Sequence, residues 1–428
     1  MDIYLLIIIL FLIFSFLIGF FSDYLNVKNI STELPEEFNG YYDNEKYKKS
    51  QNYLKDKTNL SFFNSTLILI IEILFILFGG FNYIDNIARS FGFGEIITGL
   101  IFISILMLLL NIIEIPFSVY DTFVIEEKYS FNKTTVKTYI TDILKTMLLF
   151  SVIGLPIIAV ILLFFIKFES LAWFYAAMCA ITFELIITFV APVLIMPLFN
   201  KYEPLEDGEL KTELENYAKQ ENFKMKGLYK MDGSKRSTKT NAFFTGFGKF
   251  RRIVLFDTLI AKHTKEELVS VLAHEMGHYK KGHINKFMIM SFINTFLMFF
   301  ILSFFINNQN LFAAFKMEHL SVYGSLVFFG FLYIPISMFL SVVQNIISRK
   351  YEYEADRYSV TTYKHPKEMI EALKKLSVDN LSNLTPHKMK VFLEYSHPPV
   401  LDRIKAIKKL PKAILRYRGI ENFCKAKI

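Results

Sequence analysis

Cysteine and charged residues are both scarce in this 428-residue sequence. The two cysteines, Cys179 in an apolar stretch and Cys424 near the end, do not form the pattern of a disulfide framework. Charged residues make up only 21% of the chain. The net charge is +8, but no stripe of Lys and Arg with interleaved aromatic residues accompanies it, so we expect no nucleic-acid partner.

Apolar residues are correspondingly abundant. They make up 53% of the sequence, aromatic residues make up 16%, and the mean hydropathy is +0.35. This composition is too apolar for a soluble enzyme and indicates an integral membrane protein in contact with lipid. Seven apolar stretches reach, or nearly reach, the roughly 20 residues that a helix needs to cross a bilayer. They are Ile3–Phe21, Phe62–Phe81, Ile96–Ser118, Thr146–Ile166, Leu171–Ile195, Phe287–Ile306 and Val322–Ile346.

The positive charges predict the orientation of these seven spans. Of the 48 Lys and Arg residues, 45 lie in the loops after spans one, three and five or in the C-terminal region, and the others are Arg89, Lys167 and Lys316. Because Lys and Arg concentrate on the cytoplasmic side, we expect the N-terminus outside and the C-terminus in the cytoplasm. The polar regions 200–286 and 348–428 would then be cytoplasmic. The membrane would be the inner membrane of a bacterium or the endoplasmic reticulum of a eukaryote.

Three acidic residues, Glu72, Glu114 and Glu184, lie inside predicted spans that contain no basic partner. A bare carboxylate in lipid is costly, so these groups either face an internal wetted space or are protonated or hydrogen-bonded between helices. Proline residues interrupt four spans and predict kinks, which would let the helices bow around such a space. These are Pro116, Pro156, Pro192 and Pro335.

The pentapeptide HEMGH at positions 274–278 has the pattern of a zinc site. On a helix, His274 and His278 share a face and can hold one ion, while Glu275 lies beside them, where it can take a proton from a zinc-bound water. The segment 264–267, TKEE, is a capping box, which predicts a helix from about residue 265 through the motif.

A tetrahedral zinc held by two histidines needs a third protein ligand. His283 is nearest in sequence, but on a continuous helix it lies about 180° from His274, so we expect it to face away as a solvated or supporting residue. Glu352 is the better candidate, because the last span continues into a predicted helix that carries it. Asp356 shares its face and is placed to accept the free N–H of a liganding histidine. Glu354 is the weaker candidate, about 200° around the helix from Glu352.

At this point the sequence resembles a known family, the type I CAAX prenyl proteases, which are integral-membrane zinc metalloendopeptidases of the gluzincin type. The resemblance runs nearly from end to end, in six ordered blocks. They are YDTFVIEEK with FNK (120–133), PLFNKYEPL (197–205), NAFF with RIVLFDTL (241–259), the HEMGH motif, the segment 352–356, and HPP with an arginine (397–403).

The resemblance implies a mainly α fold in which seven transmembrane helices form a barrel around an intramembrane chamber. A cytoplasmic protease domain with a small β element would close the chamber. We expect four segments: helices one to five with their loops (1–195), the first part of the protease domain with an edge strand and the zinc helix (196–286), helices six and seven (287–346), and the second part of the protease domain (347–428).

The resemblance also implies roles for residues that spacing alone does not rank. Asn241, Ala242 and Phe243 would lie on an edge strand that pairs with the substrate backbone, as in strand addition. His397 and Arg403 would stabilise the oxyanion. From the residues themselves, His397 is equally consistent with a turn and Arg403 with a solvated charge.

The predicted function is hydrolysis of peptide bonds by zinc-activated water, with one Zn²⁺ per chain held by His274, His278 and Glu352 and with Glu275 as general base. The substrate would be a peptide or protein, prenylated if the resemblance extends to specificity. One alternative is a general quality-control endopeptidase for membrane proteins that needs no prenyl group. Another, in a different class, is a non-catalytic chamber or transporter with a relic site.

Overall fold

The computed structural model describes residues 2–31, 33–246 and 251–410. Within them, seven helices are long and apolar enough to cross a membrane, as predicted. The prediction for Cys424 and the last part of the segment 347–428 lie outside the described residues. The seven spanning helices are Ile3–Lys28, Asn44–Leu77, Glu95–Lys128, Val136–Lys167, Ala172–Phe199, His283–Leu302 and Val322–Tyr363.

Several spanning helices extend well beyond the apolar stretches that predict them. The second begins at Asn44 rather than Phe62, because Asp43 caps it with a side-chain bond to the N–H of Lys46 and the polar residues that follow continue the helix. The last spanning helix, which we call the long helix, runs for 42 residues from Val322 to Tyr363. Apolarity marks the part of a helix that lies in lipid, whereas helical structure continues outside it.

The spanning helices pack loosely against one another. In the most apolar window of each, between 0 and 17% of the residues are buried inside the protein. Helices in a close-packed bundle would bury more, so this arrangement fits helices that stand around an open interior. Two of the intramembrane acids bond to other spans: Glu114 accepts from the amide of Asn64 at 3.2 Å, and Glu184 accepts from the hydroxyl of Ser291.

Wide π-helical turns accompany two of the four intramembrane prolines. Pro156 follows the π turn Phe150–Gly154, and Pro192 lies within the π turn Ala191–Ile195. Proline lacks an N–H and its ring crowds the preceding turn, which a widened turn accommodates. A third π turn, Asp121–Ile125, lies in the same spanning helix as Pro116, a few residues after it.

The two ends of the helical barrel are built differently. At one end, short helices join the spans, and Tyr4 of the first helix bonds to Asn308 in the connection between the last two. At the other end lies a polar domain, where Ser22 near the end of the first helix bonds to Glu394. The remaining helices are Glu36–Phe38, Gly80–Ser90, Glu169–Leu171, Glu209–Gln220, Gly233–Lys235, Asp257–Ile260, Lys265–Lys280, Gln309–Ala314, Pro366–Asp379, Lys388–Glu394 and Val400–Lys408.

A four-stranded sheet with the order β1-β2-β4-β3 is the small β element of the polar domain. Its strands are β1 (Tyr202–Pro204), β2 (Gly227–Met231), β3 (Ala242–Thr245) and β4 (Arg252–Phe256). β2 and β4 run parallel, and β3 pairs antiparallel with β4 at an edge of the sheet.

The helix Lys265–Lys280, which we call the motif helix, lies in the core of the polar domain. Leu268, Leu272 and Met276 are almost fully buried in one apolar cluster with residues of β2 and β4. The long helix packs along the motif helix, and Ser359 on the long helix donates to the carbonyl of Ser270 at 2.8 Å. The fold therefore sets two rigid helices side by side, one carrying the HEMGH motif and the other carrying Glu352.

Candidate metal centre and active site

The motif helix begins where the capping box predicts. The Thr264 side chain accepts from the N–H of Glu267 at 3.3 Å, and the Glu267 carboxylate accepts from the N–H of Thr264 at 3.2 Å. The helix is then continuous through the motif, so His274 and His278 project from consecutive turns of one buried element. Their Nε2 atoms lie 3.1 Å apart.

Glu352 on the long helix completes a cluster of three donors, and we call His274, His278 and Glu352 the metal cluster. Glu352 Oε2 lies 3.4 Å from His274 Nε2, and Oε1 lies 3.2 Å from His278 Nε2. Donors held about 2.0 Å from a tetrahedral zinc would be about 3.3 Å apart. The separations between these donors therefore match the edge length of a zinc tetrahedron, with one Glu352 oxygen beside each histidine.

The chemistry of the cluster also fits a cation. The Oε2 atom of Glu352 is buried and accepts no hydrogen bond of normal geometry among the described residues, although the Arg403 guanidinium lies 3.3 Å from it. A buried unsatisfied carboxylate oxygen is costly, and a metal ion between it and the two imidazoles would satisfy it. Two imidazoles and one carboxylate are a ligand set of catalytic zinc sites that leave the fourth position open.

Asp356 and Arg403 support the cluster from behind. Asp356 Oδ1 lies 2.9 Å from Nδ1 of His274, the ring nitrogen that faces away from the cluster. The Arg403 guanidinium donates from Nε and Nη2 to the two oxygens of Asp356, at 2.8 and 2.6 Å. Its Nη1 lies 3.3 Å from Glu352 Oε2. Arg403 is thus a buried group with two carboxylates rather than a solvated charge.

A cavity of about 600 Å³ borders His274 and Glu352 of the metal cluster, and Glu275 and His397 also line it. Burial raises the pKa of the Glu275 carboxyl above its ordinary value, which suits a group that must both accept and release a proton. His397 lies in the turn between the helices Lys388–Glu394 and Val400–Lys408, and its side chain is exposed. Its Nε2 is 3.3 Å from Glu352 Oε1. His397 is therefore a turn residue and at the same time a neighbour of the metal cluster.

The edge strand β3 approaches the cavity at its beginning, where Asn241 and Ala242 line the wall. Asn241 accepts from the N–H of Phe256 on β4. Since alternate residues of an antiparallel pair bond to the partner strand, the backbone of Ala242 faces the opposite way, toward the open side. Phe243 follows within β3 and pairs with Val254. The three predicted substrate-binding residues are therefore on or beside a strand whose second edge pairs with no other strand in the described part of the chain.

Asn380 is a neighbour of this edge that sequence reasoning missed. Its side-chain amide accepts from the N–H of Thr240 at 3.0 Å and donates to the carbonyl of Thr240 at 3.1 Å. These bonds satisfy the backbone just before the free edge. The edge then begins at Ala242, whose N–H donates to the Oδ1 of Asn241 at 2.8 Å. An asparagine 140 residues along the chain carries no sequence signal for its contact with Thr240.

The expectation that His283 faces away from the zinc motif as a solvated residue is wrong, whereas its position is compatible with the other alternative, a supporting residue. It assumes one continuous helix, but the motif helix ends at Lys280, and Gly282 adopts a left-handed φ of 68° that starts a new helix in another direction. His283 is almost fully buried, and its Nδ1 lies 3.2 Å from Nδ1 of His278. The glycine before His283 is the signal that could have located this break.

Gly277, inside the motif, lets the two helices approach closely. A Cβ built at this position would lie 3.0 Å from the Cα and 3.1 Å from the carbonyl oxygen of Ala355 on the long helix. These are backbone atoms, which cannot move aside without moving the helix. The short distance between the motif histidines and Glu352 therefore depends on a glycine here.

We expect Gly277→Ala to separate the two helices and weaken metal binding. Overpacking costs about 1–3 kcal/mol, more than the roughly 0.5–1 kcal/mol that alanine gains over glycine in a helix. The measurements are the thermal midpoint of unfolding and the zinc dissociation constant. Gly330→Ala is the matched control, because Gly330 lies on the long helix and a Cβ added there would meet nothing within 4 Å. A Gly277→Ala protein with unchanged stability and affinity would contradict this role.

Comparisons with known proteins agree with this geometry. Residues 23–201 match the family described as CAAX prenyl protease N-terminal, five membrane helices, and residues 204–411 match Peptidase family M48. A probable CAAX prenyl protease 1 of Schizosaccharomyces pombe is 36% identical and aligns with 86% of this chain and 80% of its own. The human CAAX prenyl protease 1 homolog is 33% identical, with 93% and 94% covered.

A solved structure has the same fold. The crystal structure of Ste24p from S. mikatae superposes with a TM-score of 0.90 at 32% sequence identity, covering 94% of this chain and 99% of that one. The family resemblance seen in the sequence is thereby confirmed, as are the fold of seven spanning helices and the assignment as a metalloendopeptidase. The chain belongs to the M48 peptidases, in the integral-membrane CAAX prenyl protease family.

Proposed function

We propose that this protein is a zinc metalloendopeptidase that cleaves the C-terminal CAAX peptides of prenylated proteins at the cytoplasmic face of its membrane. The observation that supports this most directly is the convergence of the metal cluster, Glu275 and the free edge of β3 on one cavity. That cavity lies in a polar domain fixed to seven apolar helices, where a lipid-linked peptide can reach it.

The residues of the chain have distinct roles in this reaction. Zinc bound by His274, His278 and Glu352 would supply a Lewis acid that polarises the scissile carbonyl and lowers the pKa of water. Glu275 takes the proton of the attacking water and passes it to the leaving amine. His397 and Arg403 each lie 3.3 Å from the Glu352 carboxylate and line the cavity, and we assign them to the negative charge that develops on the carbonyl oxygen.

Two parts of the protein would bind two parts of the substrate, its peptide backbone and its prenyl group. The free edge at Ala242 offers main-chain groups, which hold an extended peptide whatever its side chains are. The N–H of Ala242 donates to the Oδ1 of Asn241, so a substrate carbonyl would replace that side-chain oxygen. A prenyl group is apolar and would enter the open interior between the spanning helices. The excess of Lys and Arg in the loops on the side of the protease domain supports an orientation of this domain toward the cytoplasm.

The test is cleavage of paired peptides that are identical except for a farnesyl group on the CAAX cysteine. The purified protein should cleave the farnesylated peptide in preference to its unlipidated twin, and a zinc chelator should abolish cleavage until zinc is restored. The measurement is the rate of release of the C-terminal fragment by mass spectrometry, with an equal detergent concentration in every arm.

Each alternative predicts a different result in this assay. A general membrane endopeptidase would cleave both peptides at similar rates, which would contradict the prenyl-substrate proposal and leave the protease assignment intact. A non-catalytic chamber or transporter would cleave neither peptide at any zinc concentration.

A further inference from the structure

His283 is a buried histidine that the catalytic scheme above does not use. It is 1% exposed, and it is the first residue of the sixth spanning helix. The Tyr351 ring on the long helix lies parallel to its imidazole, with ring centroids 4.0 Å apart and an interplanar angle of 4°. This stacking fixes the plane of the His283 ring.

Both ring nitrogens of His283 have partners. Nδ1 lies 3.2 Å from Nδ1 of His278, and Nε2 lies 3.1 Å from Oε2 of Glu354. The Nε2 of His278 faces the other two residues of the metal cluster. As a neutral ligand through Nε2, His278 therefore carries its proton on Nδ1 and donates it to His283. His283 accepts at Nδ1, therefore carries its own proton on Nε2, and donates that proton to the Glu354 carboxylate. One chain of bonds thus links His278 to a carboxylate.

The two histidines of the metal cluster are supported in parallel ways. His274 is bonded directly to Asp356 at 2.9 Å, whereas His278 reaches Glu354 through His283. A carboxylate behind a liganding imidazole fixes its tautomer and orientation and raises its basicity. Glu354, on the opposite face of the long helix from Glu352, is excluded from the metal but is well placed for this second role.

We propose that His283 and Glu354 are positioning residues that act in series to hold His278 in its metal-binding tautomer and orientation. This inference rests on the proposed zinc site. It predicts an effect of both residues on zinc affinity, although neither is a ligand, and it predicts that Glu354 acts only through His283.

The experiment measures zinc dissociation constants by competition with a chromogenic chelator for the full-length protein in detergent. His283→Phe keeps a ring to stack on Tyr351 but removes both hydrogen bonds, and we expect it to weaken zinc binding about 10–100-fold. Glu354→Ala should weaken binding about tenfold, while Glu354→Gln, which keeps an oxygen acceptor, should restore most of the affinity. Adding Glu354→Ala to His283→Phe should have no further effect, since the two act in series.

A matched control is Glu368→Ala. Glu368 also pairs with a histidine, the half-exposed His365 at 3.5 Å, but that pair is not part of the metal cluster. Zinc affinity should be unchanged in this variant. The thermal stability of each metal-free protein is measured alongside, because a merely structural role would lower it without the serial effect on affinity.

The possible results separate this inference from the proposed function. If the wild-type protein binds no zinc, the proposed zinc site itself fails. If the wild type binds zinc and Glu354→Ala binds it equally well, the inference is overturned while the zinc site stands. Additive effects of Glu354→Ala and His283→Phe would also overturn it. If His283→Phe does not fold, the comparison of Glu354→Ala with Glu354→Gln still decides the question.

Discussion

Replacing Glu275 by glutamine should almost abolish peptide hydrolysis while leaving zinc in place. The substitution keeps the size of the side chain but removes its capacity to accept a proton, and a well-placed general base contributes about 10²–10⁴-fold to a rate. His274, His278 and Glu352 are untouched, so the metal content should remain that of the wild type. The measurements are the turnover rate with a CAAX peptide and zinc per chain by elemental analysis.

The control for this variant is Glu266→Gln, which makes the same chemical change on the first turn of the motif helix, outside the cavity. It should retain both activity and zinc. A Glu275→Gln protein that is correctly metallated and as active as the wild type would show that another group removes the proton.

Replacing Glu352 by alanine should remove zinc and activity together. A four-ligand structural zinc site is worth about 10–16 kcal/mol, or roughly 3–4 kcal/mol per ligand, so losing one ligand should weaken binding about 10²–10³-fold. The loss is increased here because Arg403 lies 3.3 Å from Glu352 and would leave a positive charge facing the cluster. The measurements are the zinc dissociation constant and the rate at saturating zinc.

Two further variants make the Glu352 result interpretable. Glu352→Asp keeps the charge but shortens the side chain by one methylene, so its affinity should lie between those of the wild type and Glu352→Ala. Glu209→Ala removes an exposed carboxylate of the same domain and should bind zinc normally. Full zinc occupancy in Glu352→Ala at limiting zinc would require a different third ligand.

The sequence predicts the membrane architecture well, because a bilayer imposes a length and a composition on every span. Each of the seven apolar stretches overlaps a spanning helix. Phe287–Ile306 runs past the helix that ends at Leu302, and Phe62–Phe81 predicts only part of the helix Asn44–Leu77 and runs past its end. That helix stops near Gly79, which adopts a left-handed φ of 73°. Hydropathy reports contact with lipid and is insensitive to polar helical turns outside it.

Local patterns within the protease domain are also predictable, whereas contacts between distant segments are not. The capping box at Thr264 and the shared face of His274 and His278 each depend on residues within one or two turns of a helix. The clamp of Asn380 on Thr240 joins residues 140 positions apart and requires the fold to be known. His283 is intermediate, since its place beside His278 depends on a turn at Gly282 that helical periodicity ignores.

The long helix fixes the distance between the end of its apolar stretch and the metal cluster. Its apolar stretch ends at Ile346, and Glu352 follows six residues later on the same unbroken helix, a rise of about 9 Å. An extended peptide covers this height with about three residues. A substrate whose prenyl group lies between the spanning helices would therefore reach the metal with only a few residues after its cysteine. A peptide bond many residues from that cysteine would lie too far along the chain unless the intervening residues looped out.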